Sequence, residues 1–176
     1  QNTFLEINVN SIINNYKKIK KKVPKNCNVA ATVKANAYGL GVKPIVRSLI
    51  ANKCNTFFVA TLTEGIELRK LNKKISIYVL NGLNDDNASI FLKKNIFPVI
   101  NDLKQLKKAE AFSYKKNRSL KIALHFDTGM SRLGLDAEQT KILIKNKTSL
   151  IKDTSIMLVM SHLACADNVK SPKNIK

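Results

Sequence analysis

Short apolar runs recur along the chain at residues 29–33, 56–60, 75–80, 96–100, 120–126 and 155–160, each as long as a buried strand. Between them the apolar side chains fall at helical spacing, as in Ile45, Leu49 and Ile50, in Ile66, Leu68 and Leu71, and in Leu103, Leu106 and Ala109. Strand and helix alternate throughout. Nearly continuous apolar strands separated by amphipathic helices predict parallel strands covered by helices, and the right-handed crossover rule narrows this to an open doubly wound sheet or a (β/α) barrel. No G-x-G-x-x-G follows the first run and no G-x-x-x-x-G-K-[ST] occurs anywhere. The barrel is therefore favoured.

Six such units are visible, whereas a closed barrel of this type needs eight strands and usually about 250 residues. The expectation is an α/β chain forming an incomplete TIM-type (β/α)8 barrel over residues 9–176. Ahead of it, residues 1–8 hold a leading strand at 4–7 without a partner in the barrel, and the helix that follows takes Asn10 or Ser11 as its N-cap. The opening Gln1 and the polar tail "DNVKSPKNIK" read as the ends of a piece of a longer protein. An unpaired parallel edge and an unfilled core then predict that this piece is marginally stable, aggregation-prone and inactive on its own.

Composition changes this picture little. A chain of 176 residues that is 44% hydrophobic fits one globular domain with a real core. Its longest apolar runs, such as "SIMLVM", fall far short of the roughly 20 residues that cross a bilayer. Cys27, Cys54 and Cys165 are odd in number and far apart, which predicts reduced thiols in a cytoplasmic protein. His162 and Cys165 form an H-x-x-C pair that lacks further ligands, so no metal is expected.

The charge of +19 invites a nucleic-acid reading, with "YKKIKKKVPK" as its densest run. Arginine, the residue suited to bidentate phosphate and guanine contacts, appears only at positions 47, 69, 118 and 132. Aromatic residues make up 6% of the chain and are not interleaved with the basic run as a stacking platform requires. Scattered lysines among many Asn and Ile predict solvated faces, with neither nucleic acid nor membrane as partner.

Unusual polar residues gather where apolar runs end. Lys34 follows "VAATV", the stretch "HFDTGMSRLG" follows "KIAL", and His162 follows "SIMLVMS". Taken singly, each reads as a loop residue that begins the next helix. Together they fall at the carboxyl ends of strands, which share one face in a (β/α) barrel, the face that carries catalysis. A lysine there keeps its stem buried and its amine toward a pocket, where desolvation and neighbouring cations favour the neutral nucleophile, able to form a Schiff base. Tyr38 supplies a phenol for an anion, while Gly39 and Gly41 let the backbone approach a ligand before the next helix starts. The aldehyde best matched to such a lysine is pyridoxal phosphate.

"ATVKANAYGLG", "HFDTGMSRLG" and "MSHLACAD" resemble three successive signatures of bacterial alanine racemase, and "LEINVNSIINNYKKI" resembles that family's opening strand and first helix. The similarity covers almost the whole chain. It implies a fold-type III pyridoxal-phosphate enzyme that interconverts L- and D-alanine by a two-base transfer of the α-proton, supplies D-alanine for peptidoglycan, and works as a homodimer. Lys34 matches the lysine that carries the cofactor and serves as an acid/base catalyst on the D-alanine face. Tyr38 matches the phosphate-binding tyrosine. Arg132 matches the arginine that reaches the cofactor's phenolic oxygen and the substrate carboxylate, a role suited to a rigid fork of donors. His162 matches the histidine that supports a later arginine beyond Lys176.

The second base is implied to be a tyrosine from the partner's C-terminal β-domain, and the leading strand is implied to join that domain. One position departs from the pattern. Many members carry a lysine, often carbamylated, where this chain has His125, and imidazole offers Arg132 either a neutral acceptor or a competing cation. A broad-spectrum or serine racemase is the alternative within the class, and a non-catalytic pyridoxal-phosphate-binding homeostasis protein is the alternative outside it.

Overall fold

The computed structural model describes residues 3–84 and 87–172, which form two compact units, Gln1–Tyr78 and Val79–Lys176. The first begins with α1 (Val9–Lys22), whose N-cap is Asn8: its side-chain oxygen accepts the Ser11 N–H at 3.1 Å. The cap thus lies two residues before the earliest position expected, because the oxygen that meets an orphan amide of the first turn is that of Asn8. Ile13 and Tyr16 are buried along one face of α1, and the lysines of "YKKIKKKVPK" are exposed. Lys20, Lys21 and Lys22 sit in the last turn, where cations complement the helix dipole. Residues 3–8 form no ladder, and Phe4 and Leu5 are exposed, so the expected strand at 4–7 is not formed. Extended backbone becomes a strand only with a partner for its amides and carbonyls.

Next come β1 (Ala31–Thr32), a single turn α2 (Lys34–Tyr38), α3 (Val42–Ala51), β2 (Thr56–Val59), α4 (Leu62–Leu71) and β3 (Ser76–Val79). β1 is shorter than the predicted run. It pairs with β2 in parallel, Ala31 opposite Phe57 and Thr32 opposite Phe58, and Val33 N–H extends the contact to Phe58 O at 2.9 Å. Ser76 N–H donates to Asn55 O at 2.8 Å, and the Phe58 and Tyr78 rings stack 5.0 Å apart. Ile45, Val46 and Leu49 from α3, Phe57 and Val59 from β2, and Leu68 from α4 are buried.

The second unit continues through α5 (Ala88–Lys94), β4 (Phe97–Ile100), α6 (Leu103–Lys116), β5 (Lys121–Phe126), α7 (Ala137–Lys145), α8 (Lys147–Leu150) and β6 (Ser155–Ser161). β4 and β6 flank β5, both in parallel, with Val99 opposite Ala123 and His125 opposite Met160. Leu106 and Ala109 of α6 join Val99, Ile122 and Ala123 in the core. β6 differs from the other strands. Its Ile156, Met157 and Val159 are 38%, 46% and 61% exposed, and β5 is its sole strand partner among the described residues. The expected open parallel edge is therefore present.

Candidate active site

Lys34 opens α2 directly after β1 and is half-buried. The next four residues are left-handed: Ala35, Asn36, Ala37 and Tyr38 have φ of +52°, +53°, +55° and +56°. For L-residues with a Cβ this conformation costs roughly 1–2 kcal/mol each, so the surroundings must impose it. Several hydrogen bonds do so. Ala37 N–H reaches Val33 O at 3.0 Å, Gly39 N–H reaches Ala35 O at 2.9 Å, and Gly41 N–H reaches Asn36 O at 3.0 Å. The Asn36 side chain accepts Val42 N–H at 2.8 Å, joining the turn to the start of α3. Gly39 and Gly41, with φ of +83° and +87°, let the chain leave this turn without a Cβ penalty.

Glu64 fastens the same turn from α4. One of its oxygens accepts Ala35 N–H at 2.6 Å, and the other accepts Ala60 N–H at 2.8 Å and Thr61 N–H at 3.1 Å. Thr61 Oγ1 in return accepts Glu64 N–H at 3.3 Å, which completes a capping box. The residue after the lysine is thereby tied to the carboxyl end of β2. Tyr38 lies at the far end of the turn and is 61% exposed. Lys34 and Tyr38 thus share one rigid turn whose phenol is open to solvent.

In the second unit, the loop after β5 closes on itself. Leu135 N–H donates to His125 O at 2.8 Å, and Asp127 N–H donates to Leu135 O at 2.9 Å. Asp127 Oδ1 accepts Gly129 N–H at 2.9 Å and Ser131 N–H at 3.0 Å, and these amides hold the carboxyl below its ordinary range. Gly134 fits because it has no side chain: a Cβ there would lie 2.7 Å from Asp127 N and 2.9 Å from Phe126 C, at φ +108°. This closed loop carries Arg132 outward, exposed, between Ser131 and Gly134.

His125, on the last part of β5, is buried, and its Nδ1 lies 2.8 Å from Asn101 Oδ1. Burial holds its pKa below the usual histidine value, His162 and Arg132 push the same way, and Asp127 opposes them. Of the two roles open to this imidazole, the neutral one is therefore favoured. His162 follows β6 directly and is exposed. The second unit accordingly brings Asp127, Arg132 and His162 each within electrostatic reach of His125.

Sequence reading did not single out Glu64 or Asn101. The Thr61-Leu-Thr-Glu64 pattern is a recognisable capping box ahead of an apolar run, and it was the available signal for Glu64. Asn101 gives none, because an asparagine at the end of an apolar run reads as a turn.

A family model described as alanine racemase, N-terminal domain, matches residues 7–175. Alanine racemase of Rickettsia akari is 42% identical over 173 residues, covering 98% of this chain and 48% of the relative, and that of Rickettsia prowazekii is 42% identical over 172 residues, covering 97% and 42%. The chain spans about half the length of the curated relatives it matches. Among solved structures, alanine racemase from Bartonella henselae with covalently bound pyridoxal phosphate is 33% identical and superposes with a TM-score of 0.91 over 96% of this chain and 49% of that one. The histidine racemase of Leuconostoc mesenteroides shares the fold, with a TM-score of 0.83 at 24% identity over 95% of this chain and 45% of that one. The incomplete (β/α) barrel expected from the alternating pattern is borne out by these likenesses, and the chain belongs to the alanine racemase N-terminal domain family.

Proposed function

We propose that this chain is the lysine-bearing N-terminal part of a pyridoxal-phosphate-dependent racemase that interconverts L- and D-alanine. The observation that carries the reading is the strained, doubly fastened turn that begins at Lys34, since left-handed conformation at four side-chain-bearing residues is kept only where the surroundings impose it. The donor types suit the cofactor, taken unit by unit: in the first, an amine at Lys34 answers its aldehyde and the exposed Tyr38 a phosphate, and in the second the guanidinium of Arg132 answers a phenolic oxygen. When bound, pyridoxal phosphate supplies a conjugated ring that takes up the electron pair of the substrate's α C–H bond.

The chain's own residues supply the rest. Lys34 Nζ holds the cofactor and then removes or returns the α-proton on the D-alanine face. Arg132 offers several N–H groups in a fixed fork, enough to hold a substrate carboxylate as well as the cofactor's oxygen. His162 supports a later arginine of the complete protein. The second base is a tyrosine of a partner subunit in a cytoplasmic homodimer, whose product, D-alanine, serves peptidoglycan. The segment 1–8 finds its strand partner in the C-terminal β-domain of that complete protein. Among the described residues no helix is long and apolar enough to cross a membrane.

The test is made on the complete protein. With pyridoxal phosphate it should show the visible absorption of lysine-bound cofactor, borohydride should fix that cofactor to the peptide containing Lys34, and alanine should racemise faster than serine or lysine. A Lys34→Ala variant that still fixed cofactor and racemised alanine would refute the reading.

A further inference from the structure

Lys34 Cα lies between two peptide groups, and both are pinned. The group before it gives the Val33 carbonyl to Ala37 N–H at 3.0 Å, and the group after it gives Ala35 N–H to Glu64 Oε1 at 2.6 Å. Each residue has only two soft dihedrals, so fixing the peptide planes on either side of a Cα fixes the direction in which its side chain leaves. The two pins differ in kind. The first is internal to the left-handed turn and moves with it. The second comes from α4 and continues through Glu64 Oε2 to Ala60 N–H and Thr61 N–H, just past the carboxyl end of β2.

This arrangement exceeds what α4 needs for itself. A capping box uses the Thr61 hydroxyl on Glu64 N–H and the Glu64 carboxylate on Thr61 N–H, and both bonds are present. The bond to Ala35 is additional, reaches 29 residues back along the chain and is the shortest of the three that Glu64 accepts. It also sets a demand on the side chain. Three N–H groups from two segments converge on its two oxygens, and an ionised carboxylate accepts on both. Glutamine has one oxygen and two amide hydrogens. Turned to keep the pair at Ala60 and Thr61, it would set its NH2 group against Ala35 N–H, so that the helix keeps its cap and the lysine's peptide loses its tie.

We propose that Glu64 is a positioning residue, whose carboxylate sets the direction of the Lys34 side chain against the carboxyl end of β2 so that the amine meets an aldehyde in one orientation. The identity of that aldehyde rests on the cofactor reading above, whereas the ordering of Lys34 does not.

The experiment uses the complete protein, first without cofactor. Hydrogen exchange at the Ala35 amide should be slow in the wild type, and carbon-13 relaxation should report a rigid Lys34 Cβ. Glu64→Gln should speed the Ala35 exchange about tenfold, as loss of a hydrogen bond to a charged group implies, and should loosen Lys34 Cβ. Thr61→Ala, which removes the hydroxyl half of the capping box and leaves the Ala35 bond, should lower the urea midpoint while both readouts stay at their wild-type values. With pyridoxal phosphate added, the circular dichroism of the visible band per bound cofactor should fall at least about twofold in Glu64→Gln and stay unchanged in Thr61→Ala. Should the glutamine variant fail to fold, Glu64→Asp, with a carboxylate one methylene shorter, should give the same release. A Lys34 Cβ that stays rigid without the Glu64 carboxylate, or that loosens equally in Thr61→Ala, would overturn the proposal. So would visible dichroism per bound cofactor that Glu64→Gln leaves at the wild-type value. Absence of cofactor on Lys34 in the wild type would instead overturn the cofactor reading, and the exchange and relaxation measurements would still decide the role of Glu64.

Discussion

The carboxylate of Glu64 accepts the backbone N–H of Ala35 at 2.6 Å, so the residue following Lys34 is held by a side chain from the first turn of α4. The same carboxylate caps that helix through Ala60 and Thr61. Removing it leaves three amides to find other partners and frees a turn that is left-handed from Ala35 to Tyr38. Glu64→Ala should cost about 2–4 kcal/mol, the sum of a lost cap and one orphaned amide, measured by urea unfolding. Glu64→Gln keeps an acceptor oxygen and should cost about half as much. An unchanged midpoint in the alanine variant would show that the turn holds itself.

Glu110 does comparable service in the second unit. It is largely buried on α6, accepts the N–H groups of Lys152, Asp153 and Thr154 at 3.1, 2.8 and 3.0 Å, and is also bonded by the Thr154 hydroxyl. These bonds fix the approach to β6. Glu110→Ala should destabilise by about 2–4 kcal/mol through unsatisfied amides. Hydrogen exchange at residues 152–154 should accelerate in step, and continued protection there would count against this role.

Gly134 lies where the Arg132 loop meets the backbone of β5. Alanine there places a methyl group 2.7 Å from Asp127 N and 2.9 Å from Phe126 C, contacts that force the loop open. Gly134→Ala should cost about 2–3 kcal/mol, combining left-handed strain with the clash. Loss of the Leu135-to-His125 amide protection in hydrogen exchange is the direct readout. Normal protection would mean that the loop shifts without opening.

His125 gives the fold a pH dependence of defined sign. Burial, then His162 and Arg132, lower its pKa in the folded state, with Asp127 opposing, while the unfolded chain keeps the ordinary value near 6.5. Between the two values the unfolded state binds more protons, so stability rises with pH through that window. The contribution is complete above about pH 6.5 and is lost as the pH falls toward the folded pKa. His125→Gln should flatten this part of the stability profile, whereas His162→Ala, which removes one of the groups that lower the pKa, should narrow the window while burial keeps it open. A His125 resonance titrating at or above the ordinary value would contradict the assignment.

Periodicity alone located the strands and the helices between them, because a buried strand and an amphipathic helix each need a local spacing of apolar residues whatever the rest of the chain does. The strand predicted at 120–126 appears as Lys121–Phe126, and the one at 155–160 as Ser155–Ser161. Lys34, Tyr38, Arg132 and His162 are singled out by sequence for a related reason, since the motifs around them are contiguous. The left-handed turn is not. Ala35, Ala37 and Tyr38 have no local preference for positive φ, and the Glu64 carboxylate that fastens the turn lies 29 residues away. The state of His125 was likewise open in the sequence, where imidazole can accept a hydrogen bond or carry a charge. The tertiary structure bears on it in two ways: burial favours the neutral ring, and an asparagine from 24 residues earlier, with both amide hydrogens already spent on backbone carbonyls, presents its oxygen to Nδ1.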